Sequence, residues 1–297
     1  MIVPHDPAAQ RLGILIALFG VLLFALNDTL GKWLVATYTV GQVLLLRSAA
    51  ALLILVPLMW HARTRLFPVE RPRLQATRVV VSTLEVFCFY FAVRALPLAD
   101  VMTYWLAAPI YVAALSPWLL GENVGPWRWG AIALGFVGVI VALQPGDGGL
   151  SPAVLISIVG SFSFALMVLS ARSLRATPDY ALVFWQTLGA LAAGIVLAPF
   201  DWVPPSAPDL ALLGFLGIVA MGAHLAIARS LKLADAATIA PLHYTIIVWA
   251  IIFGWLAFGD VPTANIQFGA AIIVCAGLVI WFRETHAARA RRARPIS

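Results

Sequence analysis

Leu98–Glu122 reads LADVMTYWLAAPIYVAALSPWLLGE, and Leu233–Asp260 reads LADAATIAPLHYTIIVWAIIFGWLAFGD. Both stretches open on Leu-Ala-Asp and carry a proline inside an apolar run, Pro109 in one and Pro241 in the other. Both close on glycine followed by an acid, Gly121-Glu122 and Gly259-Asp260. Beyond them, Gly130 and Gly138 match Gly269 and Gly277 at the same spacing. The second copy is slightly longer, so the match is imperfect. Each run exceeds the roughly 20 apolar residues that one membrane crossing needs. The chain is therefore built as two copies of a membrane-spanning pattern.

The composition agrees. Of 297 residues, 62% are hydrophobic and 11% charged, with a mean hydropathy of +0.96; soluble domains carry roughly 25% charge. This excludes a cytosolic enzyme, a secreted disulfide scaffold and a disordered chain. Cys88 and Cys275 lie in apolar runs and read as small hydrophobes, not as a disulfide or a metal site. Hydropathy windows give ten spans: 12–36, 40–61, 74–95, 99–120, 126–144, 152–172, 179–199, 208–231, 237–258 and 264–283. The expected fold is an all-α polytopic membrane protein. A first five-helix repeat covers 12–144, a second covers 152–283, and a basic cytoplasmic tail follows over 284–297.

Orientation follows from the cations. With both termini in the cytoplasm, the inner connections hold Arg63, Arg65, Arg71, Arg73, Arg78, Arg128, Arg172, Arg175, Arg229 and Lys232, joined by Arg11 and the arginines after Trp281. Lys32 and Arg94 alone fall outside, and Arg47 lies within a span. That is the positive-inside distribution. It accounts for the net charge of +6 without a nucleic-acid partner. The outer connections carry Asp147, Asp201, Asp209 and Asp260. Most tryptophans fall at span ends, as an interfacial belt requires; Trp105, Trp185 and Trp249 do not.

Five spans per repeat is an odd number, so equivalent spans cross the bilayer in opposite directions. Inverted repeats are a transporter architecture, with the site near mid-membrane at the repeat interface. The residues carry a resemblance as well. Asn27-Asp28 and Lys32 in the first span, Gln42 and Arg47 in the second, "RALPLAD…P…GE…W…G…GFVGV" and "LADAATIAPLHY…W…FGD…G" followed by "WFRE" resemble the drug/metabolite transporter superfamily, in particular the tandem EamA-type permeases of bacteria. The resemblance implies ten helices around a central cavity lined mainly by spans one, three, four, six, eight and nine, with spans five and ten as support. It also implies a bacterial inner-membrane location. Asp260 stands where the family pattern usually has glutamate.

Ionisable residues inside spans are costly and point to function. Asp28 and Arg47 sit roughly 4–8 Å outside the midplane at 1.5 Å per residue; they could form a buried ion pair that pins the first hairpin, or contact a charged substrate. Glu85, near the centre of span three, could meet a proton or a substrate ammonium, or bond a neighbouring helix as a neutral acid. His224, His243 and Tyr244 could touch substrate or join helices by hydrogen bonds. Asn27, Tyr90, Tyr104, Trp105 and Phe164 complete the candidate substrate-binding set, since ligand pockets are mostly aromatic and apolar; lipid-facing or packing roles are their alternative. Pro109 and Pro241 read as paired hinges or cavity-lining kinks, or as plain packing kinks. The matched glycines of spans five and ten could let those spans cross closely or form a homodimer contact. No phosphate-binding loop, metal cluster or nucleophile triad is present in the sequence, and no cofactor is expected. The expected function is a secondary transporter of small molecules, in first place a broad amino acid exporter. The alternative is uptake of a vitamin or cofactor such as riboflavin or S-adenosylmethionine.

Overall fold

The computed structural model describes residues 7–67, 69, 71–120, 126–143, 151–174, 176–233 and 240–292. Gly121-Glu122, Pro145-Gly146, Asp147, Arg175 and Ala234-Asp235 lie outside the described residues, as do the side chains of Pro109, Arg172 and Pro241. Every regular element among those described is helical: α1 (Pro7–Val35), α2 (Val40–His61), α3 (Pro72–Ala95), α4 (Leu98–Trp105), α5 (Ala108–Leu120), α6 (Pro126–Leu143), α7 (Pro152–Ser173), α8 (Asp179–Leu197), α9 (Ala207–Leu233), a 3-10 turn η1 (Ala240–Thr245), α10 (Ile246–Phe258) and α11 (Ala264–Arg292). Six helices are long and apolar enough to cross a membrane, and four shorter apolar stretches, 98–112, 129–142, 242–258 and 264–279, supply the rest.

Spans four and nine depart from the continuous helices expected. Span four breaks at Leu106-Ala107, between α4 and α5. Pro109 has no N–H to return to the Trp105 carbonyl, so the α-helical ladder is interrupted there. Span nine enters through η1, which contains Pro241. Thus both matched prolines mark a break in the backbone. Span nine ends in an αL glycine cap: Gly259 adopts φ +71° and donates to the Trp255 carbonyl, while Asp260 N–H reaches the Gly254 carbonyl. The Gly-Asp pair therefore stops the helix and sets a carboxylate at its end. At the C-terminus α11 runs on to Arg292, so the start of the basic segment continues the helix.

The packing has the symmetry of the repeat. α1 packs on α9 and α7 on α3; α2 packs on α8 and α6 on α11. Exchanging the repeats turns the first pair into the second and leaves α2–α8 and α6–α11 unchanged. Five crossings separate each helix from its counterpart, so the pseudo-twofold axis lies in the membrane plane. Glycines permit the two self-paired crossings. A Cβ on Gly41 would sit 2.6 Å from the Leu197 carbonyl carbon. A Cβ on Gly138 or Gly269 would sit 3.0 or 2.7 Å from the other glycine's carbonyl oxygen. Gly138 and Gly269 thus bring spans five and ten together within one chain. Gly277 lies under the Tyr244 ring, and Gly130 faces open space, contrary to the close packing expected of it.

The outer surface is apolar. Trp60, Trp118, Trp127, Trp255, Leu53 and Phe268 are among the exposed large hydrophobics, which suits a surface solvated by lipid. Cys88 is buried and Cys275 exposed.

Candidate functional site

Four helices, α2, α3, α8 and α9, close around a central cavity of about 50 Å³. Each contributes a stripe at helical spacing: Arg47, Ser48 and Ala51; Ser82, Glu85 and Val86; Gln186, Thr187 and Ala190; Gly217, Ala220, Met221 and His224. Ser82–Glu85 on α3 and Met221–His224 on α9 have the same internal spacing. Equivalent helices therefore turn the same face to the chamber, with an acid from the first repeat and an imidazole from the second. α9 can approach α2 this closely because Gly217 has no side chain to meet the Arg47 backbone.

The polar side chains form two groups. In the first, Arg47 donates to the Tyr90 hydroxyl, and its guanidinium lies 5.3 Å from the centre of that ring. Trp105 Nε1 donates to Glu85 Oε1 at 3.0 Å. Asn27 Nδ2 donates to Asp28 Oδ1 at 2.9 Å, leaving Asn27 Oδ1 buried without a partner. In the second, Arg78 donates to the Leu182 carbonyl at 3.1 Å and to Gln186 Oε1 at 3.2 Å, and Gln186 Nε2 lies 3.2 Å from His224 Nε2. An arginine can only donate. It therefore sets the Gln186 amide with its nitrogen toward His224, whose Nε2 must accept. The His224 ring meets Phe24 edge-on at 4.9 Å.

Several candidates are brought together and others are not. Asp28, Glu85, Tyr90, Trp105 and His224 join in or beside the chamber. Asp28 and Arg47 do not form the expected ion pair, because Arg47 is engaged by Tyr90 and Asp28 by Asn27; among the described residues, the ion pair is Lys32 with Asp260. Tyr104 is buried apart, among Ala142, Val154 and Ile266. Phe164 and Tyr244 belong to a separate apolar cluster with Ile110, Leu169 and Ile273. His243 lies in η1 beside Tyr244. The cavity lining is also corrected: spans two and seven border it, whereas spans one, four, six and nine do not. The close seating of α1 on α9 and of α7 on α3 keeps those helices out, with Trp105 wedged against Gly160 of α7.

Arg78, Gln186, Ser82 and Thr187 were missing from the candidates. Arg78 counts among the arginines of the inner connection in the sequence, yet it is 6% exposed within α3. Its register with Ser82 and Glu85 is the signal that marks it.

The two ends of the bundle differ. At the end with the acidic connections, Gln42 Nε2 donates to the Val203 carbonyl at 2.6 Å and its Oε1 accepts from Val203 N–H at 3.0 Å. Tyr38 donates to Asp209 at 2.7 Å, and Lys32 pairs with Asp260 over the Phe258 ring. At the arginine-rich end a second cavity of about 220 Å³ opens between the α2–α3 and α7–α8 connections.

Inverted five-helix repeats around a buried polar chamber define a polytopic membrane transporter and not an enzyme. The EamA-like transporter family model matches residues 11–144 and again 151–282. The chain belongs to this family, within the drug/metabolite transporter superfamily, with two EamA domains in tandem. It is 23% identical to the S-adenosylmethionine uptake transporter of Rickettsia prowazekii, over 92% of this chain and 93% of that one. It is 26% identical to the riboflavin transporter of Rhizobium johnstonii, over 94% of each chain. It is 28% identical to the riboflavin transporter of Vibrio cholerae, over 72% of this chain and 73% of that one. A solved crystal structure at 16% identity shares the fold, with a TM-score of 0.65 over 90% of this chain and 96% of the other.

Proposed function

We propose that the chain is an uptake permease of the bacterial inner membrane for a cofactor-type metabolite of the riboflavin or S-adenosylmethionine kind, working by alternating access with both termini in the cytoplasm. The observation that carries this reading is near full-length similarity to transporters named for those two cargoes. These relatives favour the cofactor alternative over the amino acid exporter placed first on the sequence. The chamber's chemistry agrees. Both cargoes join a flat heterocycle to polar groups, and the site sets the Tyr90 and Trp105 rings beside Asp28, Glu85 and Arg47. The arginine-rich connections support the orientation.

A cavity of about 50 Å³ holds one or two waters at about 30 Å³ each. Sites for drug-sized ligands run to roughly 300–1,000 Å³. Transport on this reading requires the repeats to rock apart around the chamber. Counterflow in proteoliposomes tests the cargo. Labelled riboflavin or S-adenosylmethionine should exchange against unlabelled cargo, with little exchange across an amino acid panel. Exchange of amino acids with neither cofactor moving would reject the proposal.

A further inference from the structure

The cavity at the arginine-rich end has features of a built site. It lies between the α2–α3 connection, the first turn of α3, the α7–α8 connection and α8, and its walls include Arg65, Phe67, Gln75, Thr177 and Trp185. Gln75 is 5% exposed, yet neither Nε2 nor Oε1 of its amide has a hydrogen-bond partner. A buried amide without partners costs free energy, and the residue that carries this one lines the cavity. Trp185 and Phe67 meet edge-on at 6.0 Å beside it, offering a flat apolar wall.

The position relates this cavity to the chamber. Along α3 the order is Gln75 in the outer cavity, Arg78 in the layer between, then Ser82 and Glu85 in the chamber. Along α8 it is Ala181 and Trp185, then Leu182 and Gln186, then Thr187 and Ala190. One layer of side chains, Arg78 on Leu182 and Gln186, separates the two spaces.

We infer that this cavity is a vestibular subsite for a planar heterocycle carrying a donor and an acceptor side by side on one edge, as in an imide or a purine. Turned into the cavity, the Gln75 amide offers the complementary acceptor and donor pair, and Trp185 flanks the ring. At about 220 Å³ the space takes one ring system and leaves the rest of the molecule outside. This deepens the cargo reading above and rests on it for the claim that the ring is that of the transported molecule.

Fluorescence titration of lumichrome, a bare tricyclic imide, and of its N3-methyl derivative into the purified full-length chain in nanodiscs tests the inference. Wild-type chain should bind lumichrome about tenfold tighter than the methylated ring, the worth of one or two hydrogen bonds. Gln75→Leu should erase that difference while raising Tm, because an unpaired buried amide is replaced by an apolar side chain of similar size. A structural Gln75 would give the opposite Tm change, which overturns the inference. Equal affinities in wild-type chain overturn it too. A difference that survives Gln75→Leu but disappears in Glu85→Gln places ring recognition in the chamber; the vestibule then falls and the cargo reading stands. A Gln75-dependent difference without cofactor counterflow leaves the vestibule standing and removes the cargo reading.

Discussion

The two ends of the bundle are built on one pattern and behave differently. The N-cap Thr39 of α2 has its counterpart in the N-cap Pro178 of α8, the register in which Arg47, Ser48 and Ala51 match Gln186, Thr187 and Ala190 in the chamber wall. In that register Tyr38 corresponds to Thr177 and Gln42 to Ala181. At the acidic end, Tyr38 and Gln42 bond α9 and the α8–α9 connection. At the arginine-rich end a threonine and an alanine stand in their places. Both side chains are small and line the cavity at that end, whose wall also holds the unpaired Gln75 amide. The topology is common to both ends; a few polar side chains distinguish them. The chamber lies behind three locks toward the acidic end and a single arginine layer toward the other.

The largest effect is expected between the ends. Glu85→Gln keeps an acceptor for the Trp105 indole but takes the carboxyl out of the chamber. Transport should fall at least about tenfold, since one hydrogen bond to a charged group is worth roughly 1.5–3 kcal/mol. Initial uptake rates measured at equal amounts of folded protein check this. At the acidic end, Gln42→Leu deprives Val203 of both backbone partners and should cost about 2 kcal/mol, read as a lower midpoint of thermal unfolding in detergent. Tyr38→Phe should cost less, because the Asp209 pair can turn to water at the end of the bundle.

Tyr38 also gives a pH signature. Its hydrogen bond to Asp209 holds the phenol above its ordinary value of 10.0. The folded chain thus binds that proton more tightly than the unfolded chain. The latch's contribution is complete below the ordinary phenol value and is lost as pH rises through the raised one. The stability gap between wild-type and Tyr38→Phe should stay level from about pH 6 to 9 and close only above about pH 10. The smallest effect is expected at Lys32–Asp260, whose side chains are 14% and 25% exposed. Asp260→Asn should cost under about 1 kcal/mol, and the cost should shrink as salt is raised.

Much of this was legible in the sequence. The matched Leu-Ala-Asp and Gly-acid elements reveal the repeat, and parity of the spans requires its inversion. Glu85, Tyr90, Trp105 and His224 stand out because polar or amphipathic groups in an apolar span need a reason. The partners were harder to read. Asp28 and Arg47 have opposite charges at similar depth, but hydrogen bonds to Asn27 and Tyr90 decide the pairing, and those depend on helix rotation. Tyr104 neighbours Trp105 in sequence and points elsewhere, since adjacent helical residues lie about 100° apart. Arg78 was masked by the arginines around it. The asymmetry of the ends rests on single residues within well-matched helices, which a repeat alignment treats as noise.

The central claim is that the chamber is shut toward the acidic end by its locks and reached from the arginine-rich end. The direct measurement is labelling of Ser48→Cys, in a Cys275→Ala background, with a membrane-impermeant maleimide applied to one face of the membrane at a time. The account predicts modification from the arginine-rich face, protection from the acidic face, and gain of modification from the acidic face in Gln42→Leu. Modification from the acidic face in the unaltered chain, with none from the arginine-rich face, would contradict it.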